Sequence, residues 1–401
     1  MKKRRMLGFV LLVIVVAVLT TGCWSRGELN NLAIVTGIGI DKMGDEYLIS
    51  TQMLNPGQAG EPGGVSGGSG LSVTTEYMQA PTVLEGIRRL TTVTPRRLYF
   101  AHINVLVFGE SVAREGLRDV LDLFMRDQEI RPDLHLVLTK GVTAKDVMSV
   151  MTPIEQIPAA KLLKSLNISE KSWASTIGIK LDEYIIDLMN EGKEPILTGL
   201  KFQGNIRQMK KDLKSVMPPG KLKYAGIGVF KEDKLLGWLN EEESRGFSYI
   251  TDHVDNTVAH IPCGRGGNAV IEILRSKTKL SGKLVDGEPV IKIEIKSEAN
   301  VGEMACKADL SKPKTIYDFE KSMERVNEDM MRKVIQKAQK VYESDIFGFG
   351  EVLFRKDPKN WKAIKEHWDE YFPRAKVEIH IDVKLRRTGK IGNSFIGTLK
   401  K

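Results

Sequence analysis

Residue types that could bind a metal ion or act as a nucleophile occur together at two places in this 401-residue sequence. His253, His260 and Cys263 could each bind a metal ion, but their spacing is loose and no fourth ligand is obvious. Residues 64–68, Gly-Val-Ser-Gly-Gly, match the pattern of a serine nucleophile elbow, which requires a strand before the serine and a helix after it. Neither element is predicted in the glycine-rich stretch 57–70, which is typical of a surface loop. The sequence therefore predicts no metal site and no catalytic residue.

The chemistry that the sequence does support is covalent modification of Cys23. Four basic residues precede a 14-residue apolar run at 6–19, which suits the hydrophobic region of a signal peptide and is too short to span a bilayer. Residues 19–23, Leu-Thr-Thr-Gly-Cys, then resemble the lipobox of bacterial lipoproteins, although Thr20 stands where Leu is usual. We expect a lipoprotein signal peptide at 1–22 and a diacylglycerol or acyl lipid on Cys23. Ordinary signal cleavage that leaves the cysteine unmodified is the alternative.

Composition and charge narrow the remaining classes. The chain is 42% hydrophobic and 28% charged, which excludes a mostly disordered, collagen-like or polytopic membrane protein. Four of its nine net positive charges lie in the predicted signal peptide, and the remaining excess is too small to predict nucleic-acid binding. Cys263 and Cys306 could form one disulfide in an exported protein, but a sequence does not show whether their Cα atoms approach within about 7 Å.

Hydrophobic periodicity predicts strands and helices along the whole mature chain. Residues 32–40 and 47–54 predict a β-hairpin, and 103–108 with 134–138 predict parallel strands joined by a helix that Ser111 caps. Thr143 and Asp146 are typical of the start of a short helix. The later elements are a helix at 173–190, strands at 196–202 and 224–230, a hairpin turning at Asp286-Gly287, a long helix at 316–342 started by Thr315 and Asp318, and a strand at 377–385.

This pattern predicts an α+β, or mixed α/β, ectodomain with mixed sheets and packed helices. Pro153 and Pro158 suggest a domain boundary between 151 and 172. The predicted parts are an N-terminal α/β domain at 23–165, a middle domain at 170–255 and a C-terminal domain at 256–401 that contains the long helix.

Several motifs give the sequence a family resemblance. They are Cys-Trp-Ser-Arg-Gly-Glu-Leu at 23–29, the segments 33–35 and 39–41, Pro-Arg-Arg at 95–97, His102, Arg126-Asp127, Arg131, and Ile-Pro-Cys at 261–263. Together they resemble the Ger(x)C family of spore germination lipoproteins, the C subunits of nutrient germinant receptors. Ser25 departs from a position that is often acidic in that family, and the loop at 57–70 looks like an insertion.

The resemblance implies a three-domain ectodomain without catalytic activity or cofactor. It implies a lipid anchor at the outer face of the inner spore membrane, and two polytopic membrane subunits as partners. Trp24, Arg26 and Glu28 are candidates for a partner contact near the membrane, because Trp suits the bilayer interface and the charges can pair with partner loops. Local packing where the chain enters the fold is the alternative.

His102, Arg126 and Arg131 are further candidates for partner binding. The alternative is that a buried histidine and two arginines tie a strand to a helix by hydrogen bonds. Two rival functions remain at this point. An extracytoplasmic solute-binding lipoprotein would bind a small molecule directly, and a secreted hydrolase would need a clustered nucleophile and base, which the sequence does not show.

Overall fold

The computed structural model describes residues 4–9, 31–55, 72–152, 154–205, 219–263, 267–306 and 308–387. These residues form two β-sheets with helices packed against them, which confirms the predicted mixed α+β class. The predicted glycine-rich loop at 57–70 and most of the predicted signal peptide lie outside the described residues.

The first sheet is mixed and has ten strands. They are β1 (Leu32–Met43), β2 (Glu46–Leu54), β3 (Val73–Ala80), β4 (Arg97–Tyr99), β5 (Val105–Phe108), β6 (His135–Thr139), β7 (Ile179–Lys180), β8 (Ile196–Gly204), β9 (Gly220–Lys231) and β10 (Lys234–Trp238). The strand order is β10-β9-β8-β6-β5-β1-β2-β3, with β4 paired to β1 and β7 to β6. The central strands β8, β6, β5 and β1 are parallel, and antiparallel strands flank them.

Helices cover both faces of this sheet. They are α1 (Val83–Arg89), which a 3₁₀ turn at Leu90–Thr92 follows, α2 (Glu110–Glu115), α3 (Arg118–Arg126), α4 (Ala144–Met148), α5 (Pro158–Trp173) and α6 (Leu181–Leu188). Alternate residues of β5 point to opposite faces, so Leu106 and Phe108 pack with α2 and α3 while Val105 and Val107 pack with α4 and α5. The connections after β5 and β6 therefore begin on opposite faces of the sheet.

The second sheet has four strands in the order β11-β12-β13-β14. Its elements are α7 (Glu241–Ile250), β11 (Thr257–Pro262), β12 (Asn268–Val285), β13 (Glu288–Met304), α8 (Pro313–Lys337), a π-helical turn (Ala338–Tyr342), α9 (Phe349–Lys356), α10 (Pro358–Ile364), α11 (Trp368–Tyr371) and β14 (Lys376–Arg387), with 3₁₀ turns at Lys365–His367 and Phe372–Arg374. Buried isoleucines of β12 and β13 alternate with more exposed residues and pack in one core with residues of α8 and α9.

Several local predictions are confirmed. β1 and β2 form the predicted antiparallel hairpin, and β5 and β6 are parallel. The β12–β13 hairpin turns at Asp286 and Gly287, whose φ angles of 52° and 83° are the positive values that a type I′ turn requires. Thr143 caps α4 by accepting a hydrogen bond from the Asp146 N–H at 3.0 Å.

Two predicted helix starts are wrong. Ser111 does not cap α2, because Gly109 occupies the N-cap position while the Ser111 hydroxyl is within hydrogen-bond distance of both the backbone N–H and the carbonyl of Lys42. The helix that follows β5 is also interrupted at Gly116, where φ is 134°. Helix α8, which packs in the core of the second sheet, begins at Pro313 instead of at Thr315. Proline fits the first helical turn because the N–H groups there have no partner within the helix, so its missing N–H costs no hydrogen bond.

The predicted helix at 173–190 is wrong for a related reason. Pro158 starts α5, which ends at Trp173 with Ala174 in a left-handed conformation, and α6 begins only at Leu181. The predicted boundary between residues 165 and 170 therefore falls inside α5, and strands on both sides of it belong to the first sheet. The division into three domains stays a prediction.

Cys263 and Cys306 form a disulfide, with Cα atoms 6.2 Å apart. The bond joins the residue after β11 to the segment after β13, so it closes a loop of 43 positions that contains the whole β12–β13 hairpin. Both residues are buried in the core of the second sheet. The sequence left this pairing open, and the structure provides it.

We predict that Cys263→Ala combined with Cys306→Ala lowers the free energy of unfolding by about 4 kcal/mol, because a 43-residue cross-link no longer restricts the unfolded chain. Urea denaturation of the variant, compared with oxidised wild-type protein, measures the loss. Reduced wild-type protein is the control, and its urea midpoint should be close to that of the variant. Equal midpoints for the variant and the oxidised protein would contradict the prediction.

Asp345 organises the start of α9 from inside the core. Its Oδ1 accepts hydrogen bonds from the N–H groups of Phe347 and Phe349 at 3.2 and 3.1 Å, and its Oδ2 accepts from the Gly350 N–H at 2.9 Å and from Trp368 Nε1 at 3.0 Å. Burial raises the pKa of this carboxyl to about 6, in spite of these four donors.

This raised pKa predicts a stability that falls as the pH rises. Between pH 4 and pH 6 the carboxyl of Asp345 loses its proton in the unfolded chain before it does so in the folded one, so deprotonation favours the unfolded state. The expected loss is about 3 kcal/mol by pH 7. Asp345→Asn should remove this pH-dependent part of the free energy of unfolding. Urea denaturation of wild type and variant from pH 4 to pH 7 measures the difference. Asp382→Asn, at an exposed position, is the control and should show the same pH dependence as wild type. Parallel profiles for wild type and Asp345→Asn would contradict the assignment.

Candidate functional site

Four of the predicted site residues lie outside the described part of the chain. Cys23, Trp24, Arg26 and Glu28 precede residue 31, where the description resumes, and β1 starts at Leu32. Their roles stay predictions. The chain length still sets a geometric limit, because nine residues at no more than about 3.6 Å each place Leu32 within about 32 Å of Cys23.

The amino ends of β1, β5 and β6 border an open cleft of about 600 Å³, which we call the amino-edge cleft. Parallel strands place the residues that precede them at one edge of a sheet, so the segments before β5 and β6 meet here, close to where β1 begins. The lining residues are Ile34, Thr36, Leu54, Ala101, His102, Ile103, Asn104, Arg131, Asp133, Leu134, His135, Ile157, Leu163 and Lys180.

The structure brings His102 and Arg131 together in this cleft and places Arg126 elsewhere. His102 is exposed and meets the ring of Tyr99 edge-on at 5.8 Å, and Arg131 pairs with Asp133 at 2.8 Å. Arg126, on α3, pairs with Asp122 of the same helix at 2.6 Å. The alternative of a buried histidine with two bridging arginines is wrong, because both arginine side chains are more than 70% exposed.

Sequence reasoning missed two residues of the amino-edge cleft, His135 and Lys180. They lie directly opposite each other where β7 pairs antiparallel with β6. Burial lowers the pKa of the His135 imidazole, and the positive charge of Lys180 lowers it further. The prediction of a strand at 134–138 was the available signal for His135; nothing in the sequence pairs it with Lys180.

A second crevice, of about 610 Å³, lies at the opposite edge of the first sheet. It forms where the chain leaves β5 and β6 toward opposite faces, and such switch points are common ligand sites in parallel sheets. Its acidic lining residues are Asp41, Glu110 and Asp146. The position alone would suggest a cation or small-molecule site.

The contacts of Asp41 and Glu110 indicate a structural role instead. Asp41 is buried, and its two carboxylate oxygens accept hydrogen bonds from the N–H groups of Ala144 and Lys145 at 2.8 and 2.9 Å, which ties the end of β1 to the first turn of α4. Glu110 pairs with Arg114 at 2.6 Å and accepts from Trp238 Nε1 at 3.3 Å. Protein donors therefore occupy both of these carboxylates.

Within the described residues, no group of three or more His, Cys, Asp or Glu side chains is arranged to hold a metal ion. His253 makes its ring contact with the Thr251 hydroxyl at 3.0 Å, His260 lies on β11, and Cys263 is in the disulfide. In the same part of the chain, no helix combines the length and the apolar character that crossing a membrane requires.

We predict that Asp41→Asn lowers the free energy of unfolding by about 1 to 3 kcal/mol, because an amide group would face one of two backbone donors and leave it unpaired. Urea denaturation at pH 7 measures the change. Asp146→Asn is the matched control, since Asp146 borders the same crevice without capping α4 from β1, and it should stay close to wild type. If Asp146→Asn lowered the free energy of unfolding as much as Asp41→Asn, the stabilisation would come from negative charge in the crevice and not from the cap on α4.

Comparison with known proteins matches two family models to the chain. Residues 25–202 match the spore germination protein N-terminal domain, and residues 225–389 match the spore germination B3/GerAC-like C-terminal domain. The first match ends within β8 and the second begins within β9, so the two matched segments meet inside the first sheet.

Similar proteins span almost the whole chain. Spore germination protein KC of Bacillus subtilis (strain 168) is 30% identical over 400 residues, which cover 97% of this chain and 97% of that protein. Spore germination protein B3 of the same organism is 26% identical, over 92% of this chain and 95% of its own length. A solved structure, the crystal structure of the GerBC protein, has 23% identity and a TM-score of 0.57, and covers 87% of this chain and 97% of that one. The chain therefore belongs to the GerAC-like family of spore germination proteins.

Proposed function

We propose that this chain is the non-catalytic C subunit of a spore nutrient germinant receptor, required for germination in response to nutrients. In this proposal a lipid on Cys23 holds it at the outer face of the inner spore membrane, beside polytopic subunits of the receptor. The observation that carries the proposal is the 30% identity to a spore germination protein over 97% of both chains. The same match favours a receptor subunit over a solute-binding lipoprotein or a secreted hydrolase.

The geometry of the N-terminal end supports a position next to the membrane. Ile34 of β1 lines the amino-edge cleft, two residues after the start of the strand. A lipid on Cys23 would therefore keep this edge of the first sheet within about 40 Å of the bilayer surface, even with the connecting segment fully extended. Surfaces near this edge are the ones that membrane-embedded partners can reach.

A tether also explains how weak contacts could suffice for assembly. Attachment to the same membrane makes the encounter between the ectodomain and a partner effectively intramolecular, which raises the local concentration far above that of a free protein. The exposed candidates His102, Arg126 and Arg131 then need to supply specificity more than affinity.

Purification of a tagged chain from spore membranes tests the proposed assembly. Polytopic receptor subunits should copurify in mild detergent and should be released when the detergent disrupts the complex. If the tagged chain, purified from spore membranes in mild detergent, contained no polytopic subunit, the result would contradict the proposal.

Cys23→Ala tests the anchor. The change should leave the fold intact, because the residue precedes every described strand, but it should move the protein from the detergent phase to the aqueous phase and impair germination by nutrients. Two acyl chains hold a protein firmly at a bilayer, whereas one binds only marginally. Ser25→Ala, two residues away, is the control. Unchanged partitioning of Cys23→Ala would refute the lipid anchor, and normal germination without the lipid would show that partner contacts alone retain the subunit.

A further inference from the structure

Lys180 and His135 form a pair of half-buried basic residues in the lining of the amino-edge cleft. They are direct partners in the antiparallel pairing of β6 and β7, so their side chains leave the sheet on the same face with Cβ atoms about 5 Å apart. The positive charge of Lys180 lowers the pKa of the His135 imidazole, because a second positive charge at this position would be repelled. The pair is therefore best satisfied by a negative group between the two side chains.

The carboxylates near this pair already have other partners. Asp133 pairs with Arg131 at 2.8 Å, and Glu183 accepts a hydrogen bond from the backbone N–H of Lys180 at 3.0 Å. Glu170, half-buried near the ring of His135, accepts a hydrogen bond from the backbone N–H of Gly178. Across the ranges that the structure describes, no carboxylate lies within ion-pair distance of the Lys180 ammonium group.

The cleft around the pair has the size and the donors that an oxyanion requires. Its volume of about 600 Å³ accommodates a phosphate together with the group that carries it. His102 and Arg131 stand at its rim and add donors suited to phosphate oxygens, and apolar residues such as Ile103 and Leu134 form the walls. Asp133 is the one acidic residue among the lining residues.

We propose that the amino-edge cleft binds a phosphate group between Lys180 and His135, supplied by a phospholipid headgroup or by free phosphate. The lipid source rests on the proposed anchor, because only a chain tethered through Cys23 keeps the cleft beside a bilayer. The binding chemistry itself does not depend on the anchor. A headgroup held in the cleft would fix the orientation of the first sheet relative to the membrane.

Calorimetric titration of the full-length chain in nonionic detergent with inorganic phosphate at pH 7 tests the binding chemistry. Wild-type protein should bind phosphate, and Lys180→Gln should weaken the affinity at least about tenfold because it removes the charge while keeping most of the side chain. His135→Gln, a second variant at the site, should also weaken it. Lys201→Gln is the matched control, since Lys201 is exposed on β8 toward the opposite edge of the sheet, and it should bind as wild type does.

Hydrogen exchange of the full-length chain in nanodiscs tests the lipid source. The phosphate of phosphatidylglycerol has no neighbouring cation, whereas the choline group of phosphatidylcholine neutralises its phosphate. In discs that contain phosphatidylglycerol, exchange at residues 131–136 and 178–182 should therefore be slower than in discs of phosphatidylcholine alone. Lys180→Gln should lose this difference, and Lys201→Gln should retain it. Phosphate binding without lipid protection would assign the site to free phosphate, and lipid protection would assign it to a headgroup. The proposal is overturned if wild-type protein shows neither effect, or if Lys180→Gln and Lys201→Gln behave alike. Failure of the anchor alone would leave the titration in detergent unchanged.

Discussion

The antiparallel pairing of β8 with β9 is the constraint on which the rest of the structure depends. It joins residues 196–204 to residues 220–229, from Ile196 opposite Val229 to Gly204 opposite Gly220, with one irregularity between Thr198 and Leu200. The two matched family segments meet at this pairing, so neither segment contains the whole of the first sheet. Ile227 and Val229 of β9 also pack in the same core as the isoleucines of β12 and β13. Because one strand serves both the first sheet and the second core, the two halves of the chain stabilise each other and hold a fixed relative position.

The parts of the fold that could be predicted are those in which local chemistry determines the conformation. Strict alternation of apolar and polar residues predicted β13 and β14, and Asp286-Gly287 predicted the turn between β12 and β13, because few other residue pairs accept two positive φ angles. The errors came from signals that have two meanings. Pro158 can end a helix or begin one, and the structure uses it to begin α5.

The candidate site was less accessible to sequence reasoning because its geometry depends on long-range pairing. The family resemblance drew attention to His102 and Arg131, and the structure places both at the amino-edge cleft. Nothing in the sequence paired Lys180 with His135, since the register between β6 and β7 decides that they face each other and no periodicity encodes that register. The acidic crevice shows the converse case: Asp41 borders a large opening, yet its hydrogen bonds are those of a helix cap.

The parallel pairing of β13 with β14 has a consequence for how the chain folds. Val290 pairs with Lys376, so the whole of α8 and the short helices after it lie between the two partners. Contacts that are so far apart in sequence form slowly, and during synthesis from the N-terminus β14 is the last described strand to become available. Until then β13 presents an unpaired edge, the kind of surface that pairs with other chains and starts aggregation. In the finished fold, Glu320 and Glu324 of α8 accept hydrogen bonds from the N–H groups of Leu385 and Val383. Helix α8, which separates β13 from β14 in the sequence, therefore also covers the outer edge of β14.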